Sequence, residues 1–174
     1  MSGGMKLGVQ PLTYGLSWSE SLAAAKAVDD LGYDYLWGHD HLYSTGGDPF
    51  QPFFEGWTTL AAWAAVTRRV RLGLLVGANP FRNPGVVAKM ASTVDHLSGG
   101  RLILGLGAGN RELEVTAHGM DPGRSVGDRL DWLDEALTIV RALLDGETVD
   151  HESARYRFLG VRHAPPPIAA HVPF

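Results

Sequence analysis

Short, nearly continuous apolar runs alternate along the chain with longer segments whose apolar residues recur every three or four positions. The short runs, KLGVQPL (6–12), YDYLWGHDH (33–41), VRLGLLVGA (70–78) and RLILGLGAG (101–109), read as strands, the last two apolar enough to be buried on both faces. The longer segments read as helices. After the first run, Leu22, Ala25, Val28 and Leu31 share a helical face, with Ser17 or Ser19 as cap and Gly32 at the end. GWTTLAAWAAVTRR (56–69) is a second helix, and Val87, Met90, Val94 and Leu97 mark the inner face of a third. NRELEVTAHG opens a short helix, and Leu130, Leu133, Leu137, Val140 and Leu144 face inward on a longer one. Strands and helices in strict alternation predict a parallel sheet with right-handed crossovers. The pattern then changes. Residues 147–158 read as a small hairpin, and HAPPPIAAHVPF as an extended, proline-rich spacer whose end, Ile168 to Phe174, resembles the approach to another strand.

Composition narrows the classes. The chain has 174 residues, enough for one domain with its own core, and is 45% hydrophobic and 20% charged. A formal net charge of −4 provides no basic footprint for nucleic acid. Without cysteine there is neither a disulfide framework nor thiolate chemistry. The start, MSGGMKLGVQ, has no charged region followed by an apolar one, and no apolar run reaches membrane-spanning length. A cytoplasmic protein that binds neither nucleic acid nor membrane is the expectation.

Four stretches carry candidate chemistry. His39-Asp40-His41 ends the second strand, where parallel βα folds place their sites. Alternate residues on a strand point the same way, so His39 and His41 suit a metal pair, but no further ligand cluster is evident. They suit equally well two polar residues satisfied by neighbours, or an acid/base group with Asp40 orienting the His41 ring or bonding a cofactor. In GLGAGN the glycines are Gly105, Gly107 and Gly109, so the G-x-G-x-x-G spacing of a dinucleotide fingerprint is not met. They serve a tight turn into a helix, or let backbone N–H groups approach a ligand. In VGANPFRNPG, two Asn-Pro pairs stiffen the loop after the third strand. Glu112 and Glu114 fall in the first turn of a helix, where carboxylates favour the helix dipole.

Taken in order, LGYDYLWGHDHLY, the block from RVRLGLLVGANPF through GLGAGNRELEVTAHGMD, and RLDWLDEALTIVRALLDGETVDHESARYRF resemble the luciferase-like monooxygenase superfamily, in particular its branch using coenzyme F-420, an 8-hydroxy-5-deazaflavin. The resemblance covers most of the chain. It implies an α/β fold of the (β/α)8 TIM-barrel type with a flavin or deazaflavin across the strand C-termini. The four βα units are then its first half, with residues 1–146 as the N-terminal half-barrel and 147–174 as hairpin and proline-rich tail leading toward a fifth strand that is missing.

Residue by residue, the resemblance makes Asp40 and His41 the catalytic pair beside the reactive carbon, with Asp40 also contacting the cofactor. Leu75-Val76 falls where many members carry a non-proline cis peptide behind the central ring. Val76, Gly77, Ala78 and Asn79, with Ala108, Gly109 and Asn110, fall around the cofactor. Asn110 departs from the glutamate proton donor of the sugar-phosphate dehydrogenases, and Glu112 and Glu114 match a common pair without a firm role. No metal is implied. A complete barrel takes about 250 residues, and such barrels commonly hold phosphate after strands seven and eight, which this chain lacks.

The expected function is an F-420-dependent oxidoreductase passing hydride to or from a small organic substrate. The alternatives are an FMN-dependent monooxygenase, a metal-dependent barrel hydrolase using His39 and His41, and a truncated non-catalytic interaction module. The two sheet edges of a half-barrel, KLGVQPL and RLILGLG, are apolar with only Lys6 and Arg101 at their margins, so a homodimer or other self-association is expected.

Overall fold

The computed structural model describes residues 4–174; Met1, Ser2 and Gly3, which begin the expected 1–146 unit, lie outside the described residues. Three strands, β1 (Gly8–Val9), β2 (Tyr35–Gly38) and β3 (Arg71–Leu74), pair in parallel in chain order. The apolar run 70–78 is not one strand. It breaks at a cis Leu75–Val76 peptide and resumes as β4 (Gly77–Ala78), which pairs with β5 (Leu106–Gly107). Residues 101–107 run beside both halves, through the Leu72–Leu102 bridge, the Ile103 N–H to Leu72 C=O bond at 2.9 Å and the Gly77 N–H to Gly105 C=O bond at 2.9 Å.

Helices α1 (Trp18–Asp30), α2 (Gly56–Val66), α3 (Pro84–Ser98) and α5 (Val126–Leu144) touch one another in that order. Such a sequence of contacts places them as one layer on one face of the sheet, unlike a doubly wound fold. Leu36, Leu72, Leu74, Leu102 and Leu104 point into that layer and form the core with Trp57, Leu60, Trp63, Ala91, Ile139 and Val140. Helix α1 starts in a capping box in which Ser17 and Glu20 each satisfy the other's backbone. The predicted inner faces are rotated slightly. Leu31, Leu97 and Leu130 are exposed, whereas Ala88, Ala91, Ala136, Ile139 and Leu143 are buried. Small residues on α3 and α5 let these two helices pack closely, and the bulkier leucines are left outside.

The other face of the sheet carries Tyr35 and Trp37, stacked with centroids 5.7 Å apart. Trp37 lies across glycines: a Cβ at Gly8 would come within 2.8 Å of its Nε1, and one at Gly73 within 3.1 Å of its six-membered ring. Two polar ties fix the far end of the sheet. Asp29 accepts the backbone N–H groups of Arg68, Arg69 and Val70 at 2.8, 2.9 and 2.6 Å. Burial pushes the Asp29 carboxyl up, but these bonds, with Arg101, hold it below the usual aspartate range. Arg101, at the margin of the 101–107 segment, folds its guanidinium back onto the carbonyls of Ala64, Thr67 and Val70.

The hairpin forms from β6 (Val149–Glu152) and β7 (Arg157–Val161). The tail after it is no free spacer. Pro165 and Pro166 carbonyls accept from Ser92 and pair with His96 on α3, each at 2.8 Å, and Asp95 accepts the Ala169 N–H at 2.9 Å. Arg141 bonds the Val172 carbonyl at 3.0 Å and stacks on Phe174, and the Leu104 N–H donates to Pro173 at 2.9 Å. The last residues therefore reach the outer edge of the 101–107 segment, partly covering an edge that sequence alone left open. Helix α4 is Glu112–Ala117. Among the described residues, no helix is long and apolar enough to cross a membrane.

Candidate functional site

At the C-terminal ends of β2, β4 and β5 a cleft of about 320 Å³ is lined by Asp40, His41, Leu75, Val76, Ala78, Gly107, Ala108, Gly109 and Asn110. Its floor is apolar. Leu75 and Val76, 52% and 42% exposed, present their side chains beside the cis peptide. Gly107 is small because Val76 lies on it; a Cβ there would sit 2.5 Å from Val76 Cγ2. Gly109 turns the chain at φ +79°, where a side chain is strained. The N–H groups of Ala108, Gly109 and Asn110 make no hydrogen bond among the described residues.

Asp40 is 2% exposed and anchors the site's frame. Its carboxylate accepts both prongs of Arg82, at 2.7 and 2.9 Å, and the Ala78 N–H at 2.8 Å. Arg82 also pairs with Glu55, which caps α2 by accepting from Trp57 and Thr58. Burial pushes the Asp40 carboxyl above its ordinary value against the pull of Arg82 and Ala78. Burial works against Arg82 as well, yet Asp40 and Glu55 outweigh it and hold the guanidinium above its ordinary value. The geometry decides for the ionised pair, because three donors converge on Asp40 and each needs a lone pair. Glu55 is pushed up by burial and pulled further down by its cap bonds and Arg82, ending below the usual glutamate range.

His41 is not oriented by its neighbour Asp40. Its Nδ1 lies 2.9 Å from Oε2 of Glu114, on α4. Glu114 is 1% exposed, and its Oε1 accepts the backbone N–H groups of Leu42 and of Tyr43, the latter at 2.8 Å. Glu112, its partner in the sequence motif, is exposed. His39 meets a different partner: its Nδ1 is 3.4 Å from Gln10 Nε2, and Gln10 also supports the Leu75 carbonyl at 3.1 Å. Burial, with His41 nearby, holds the His39 imidazole below its ordinary value. With different partners for the two rings, and no cluster of three metal-ligating side chains among the described residues, His39 and His41 do not assemble a metal site here.

The structure thus gathers Asp40, His41, Val76, Ala78, Ala108, Gly109 and Asn110 around one cleft. Gly77 and Asn79 stand outside its lining. Gly77 is packed against Gly105 and Leu106, and Asn79 is buried with its amide 3.2 Å from the Tyr156 hydroxyl. The sequence carried no sign of Arg82, Glu55 or Gln10, and pointed Glu114 to the helix dipole and to a family pair without a firm role. The one available signal was the resemblance at Glu114; the others lie far along the chain from their partners.

The family model for luciferase-like monooxygenase matches residues 4–174. A 4-hydroxyprotoasukamycin monooxygenase from Streptomyces nodosus subsp. asukaensis is 36% identical over 133 residues, covering 76% of this chain and 34% of the relative. An F420-dependent secondary alcohol dehydrogenase in complex with an F420-acetone adduct superposes with TM-score 0.80 at 23% identity, over 93% of this chain and 49% of that one. The oxygenating constituent of 3,6-diketocamphane monooxygenase from Pseudomonas putida, in complex with FMN, superposes with TM-score 0.78 at 20% identity, over 97% of this chain and 49% of that one. The two structural likenesses establish the fold. The chain spans about a third of that relative and about half of each solved structure.

The Asp40–Arg82 pair generates a prediction. Arg82→Ala leaves a buried carboxylate unpaired and should cost roughly 3–5 kcal/mol of stability, read by urea or thermal unfolding. Adding Asp40→Asn to Arg82→Ala should recover part of the loss, and a double variant no more stable than the single one would contradict the pairing.

Proposed function

This chain belongs to the luciferase-like monooxygenase family, and from that premise we propose that it is the N-terminal, cofactor-facing half of an F-420-dependent oxidoreductase with a (β/α)8 barrel. The half-barrel comprises residues 1–146, and residues 147–174 lead to a fifth strand; the Pro173 contact with the outer edge of the 101–107 segment supports this. The observation that carries the functional reading is the cleft itself. A planar tricyclic ring needs a flat apolar floor, a wall without side chains and a polar edge. Leu75 and Val76 provide the first, Gly107 and Gly109, with only the Ala108 methyl between them, come close to the second, and His41 provides the third. When bound, the deazaflavin supplies or accepts hydride, and the chain supplies position and polarity. Ala108, Gly109 and Asn110 hold the ring's edge through backbone N–H groups, and Ala78, whose N–H is taken by Asp40, meets it by contact alone. Asp40 keeps the floor in place through Ala78 and Arg82. His41 exchanges a proton with the small organic substrate at Nε2, the ring nitrogen left over once Nδ1 is engaged.

FMN is the second reading, since the floor and wall fit either ring and an FMN complex shares the fold. The test is fluorescence titration with F-420 and with FMN. Binding of F-420 in preference to FMN is the expected result. Preference for FMN, with oxygen consumption by the reduced complex, would move the chain to the monooxygenase reading. Binding of neither would contradict the cleft's assignment.

We also propose that the isolated chain self-associates. Met5, Leu7 and Leu12 are exposed along the free β1 edge, and the Tyr35–Trp37 face has no covering layer among the described residues. Light scattering should report a dimer or larger species; a stable monomer would sink this proposal.

A further inference from the structure

We propose that Glu114 is a positioning residue that fixes the His41 tautomer, so that His41 meets the cleft with an unprotonated Nε2. The inference deepens the proposed function, because it states which way His41 is set to move a proton, and its consequence for catalysis rests on that reading.

The argument starts from the two oxygens of one buried carboxylate. Oε1 accepts the backbone N–H groups of Leu42 and Tyr43. Oε2 lies 2.9 Å from His41 Nδ1. An ionised carboxylate only accepts, so Nδ1 must carry the proton in that bond. In the neutral ring the other nitrogen, Nε2, is then a bare lone pair. It makes no hydrogen bond among the described residues, and His41 lines the cleft. His118, the other imidazole beside Glu114, bonds its backbone carbonyl at 2.8 Å and does not compete for the carboxylate. Asp40, the acid adjacent in sequence, is turned away to Arg82 and Ala78. The carboxylate also fixes the direction of the ring, because the loop that carries His41 is clamped by the same group that accepts its proton. The neutral ring therefore presents a proton acceptor, suited to taking a proton from a protic substrate group in the cleft.

The isosteric variant Glu114→Gln should reverse this. The two backbone N–H groups need an oxygen, so the glutamine carbonyl must take the Oε1 position. Its NH₂ group then faces Nδ1, which can meet it only as an acceptor. The proton moves to Nε2, and the cleft is offered a donor instead. Fold and ring position are kept while the acid–base character of the exposed nitrogen inverts.

Ring ¹⁵N chemical shifts of the cofactor-free full chain, with labelled histidine, read this directly. The chain has 7 histidines, and the signal lost in His41→Asn assigns the one that matters. At a pH where the ring is neutral, the wild type is expected to show a protonated Nδ1 and an unprotonated Nε2, and Glu114→Gln the opposite. A wild-type ring protonated at Nε2 overturns the proposal whether or not the variant folds. So does a folded Glu114→Gln that keeps the wild-type pattern. Because no cofactor is present, failure here is distinguishable from failure of the F-420 assignment, which the fluorescence titration tests separately.

Discussion

The two-pronged bond between Arg82 and Asp40 is the interaction on which the site depends. Asp40 follows the end of β2, Arg82 follows the turn after β4, and Glu55 caps the start of α2; the guanidinium ties all three where no regular hydrogen-bond ladder can. A buried ion pair adds little stability compared with apolar packing, but leaving one partner alone is costly. Its value here is geometric. The Ala78 N–H joins the same carboxylate, so the chain after the cis Leu75–Val76 peptide is held against the end of β2. The apolar floor of the cleft stays in register with the histidine at its edge for that reason.

Two carboxylates divide the work that adjacency in the sequence would assign to one. Asp40 and His41 are neighbours, yet a strand end sends consecutive side chains to opposite sides. Asp40 turns to the frame, and His41 turns to Glu114, contributed by a helix 73 residues further on. This separation lets the frame be rigid and charged while the proton-handling ring keeps its own partner. The glycines follow the same logic. Gly107 leaves room for Val76, and Gly73 and Gly8 leave room for Trp37, so the backbone approaches closely at the points where side chains lie flat.

Much of the fold was legible because each strand and helix has a clean apolar rhythm. The order of elements, the hairpin and the caps at Ser17 and Gly32 follow from local chemistry. The break at Leu75–Val76 was not visible in the apolar run itself, because residues 70–78 are uniformly suited to a strand; only the family resemblance pointed to a cis peptide there. The tail misled for a related reason. Its prolines predict extension, but not that Ser92, Asp95 and His96 would each bind its backbone. The cleft-lining residues were legible as strand ends. Arg82 and Glu114 were not, since each reads as an ordinary loop or helix charge until its partner, distant along the chain, is brought against it.

The central claim is that the cleft between His41, the Leu75–Val76 floor and the Gly107–Asn110 turn holds the ring of F-420. Backbone amide chemical shifts of the labelled chain, followed as F-420 is added, test it most directly. The account predicts that the largest changes fall on residues 41, 75–78 and 107–110, with the N–H groups of Ala108, Gly109 and Asn110 moving as they gain an acceptor. Changes centred instead on the groove between Lys89, Phe158 and His163, or spread over the half-buried Tyr35–Trp37 face, would contradict it.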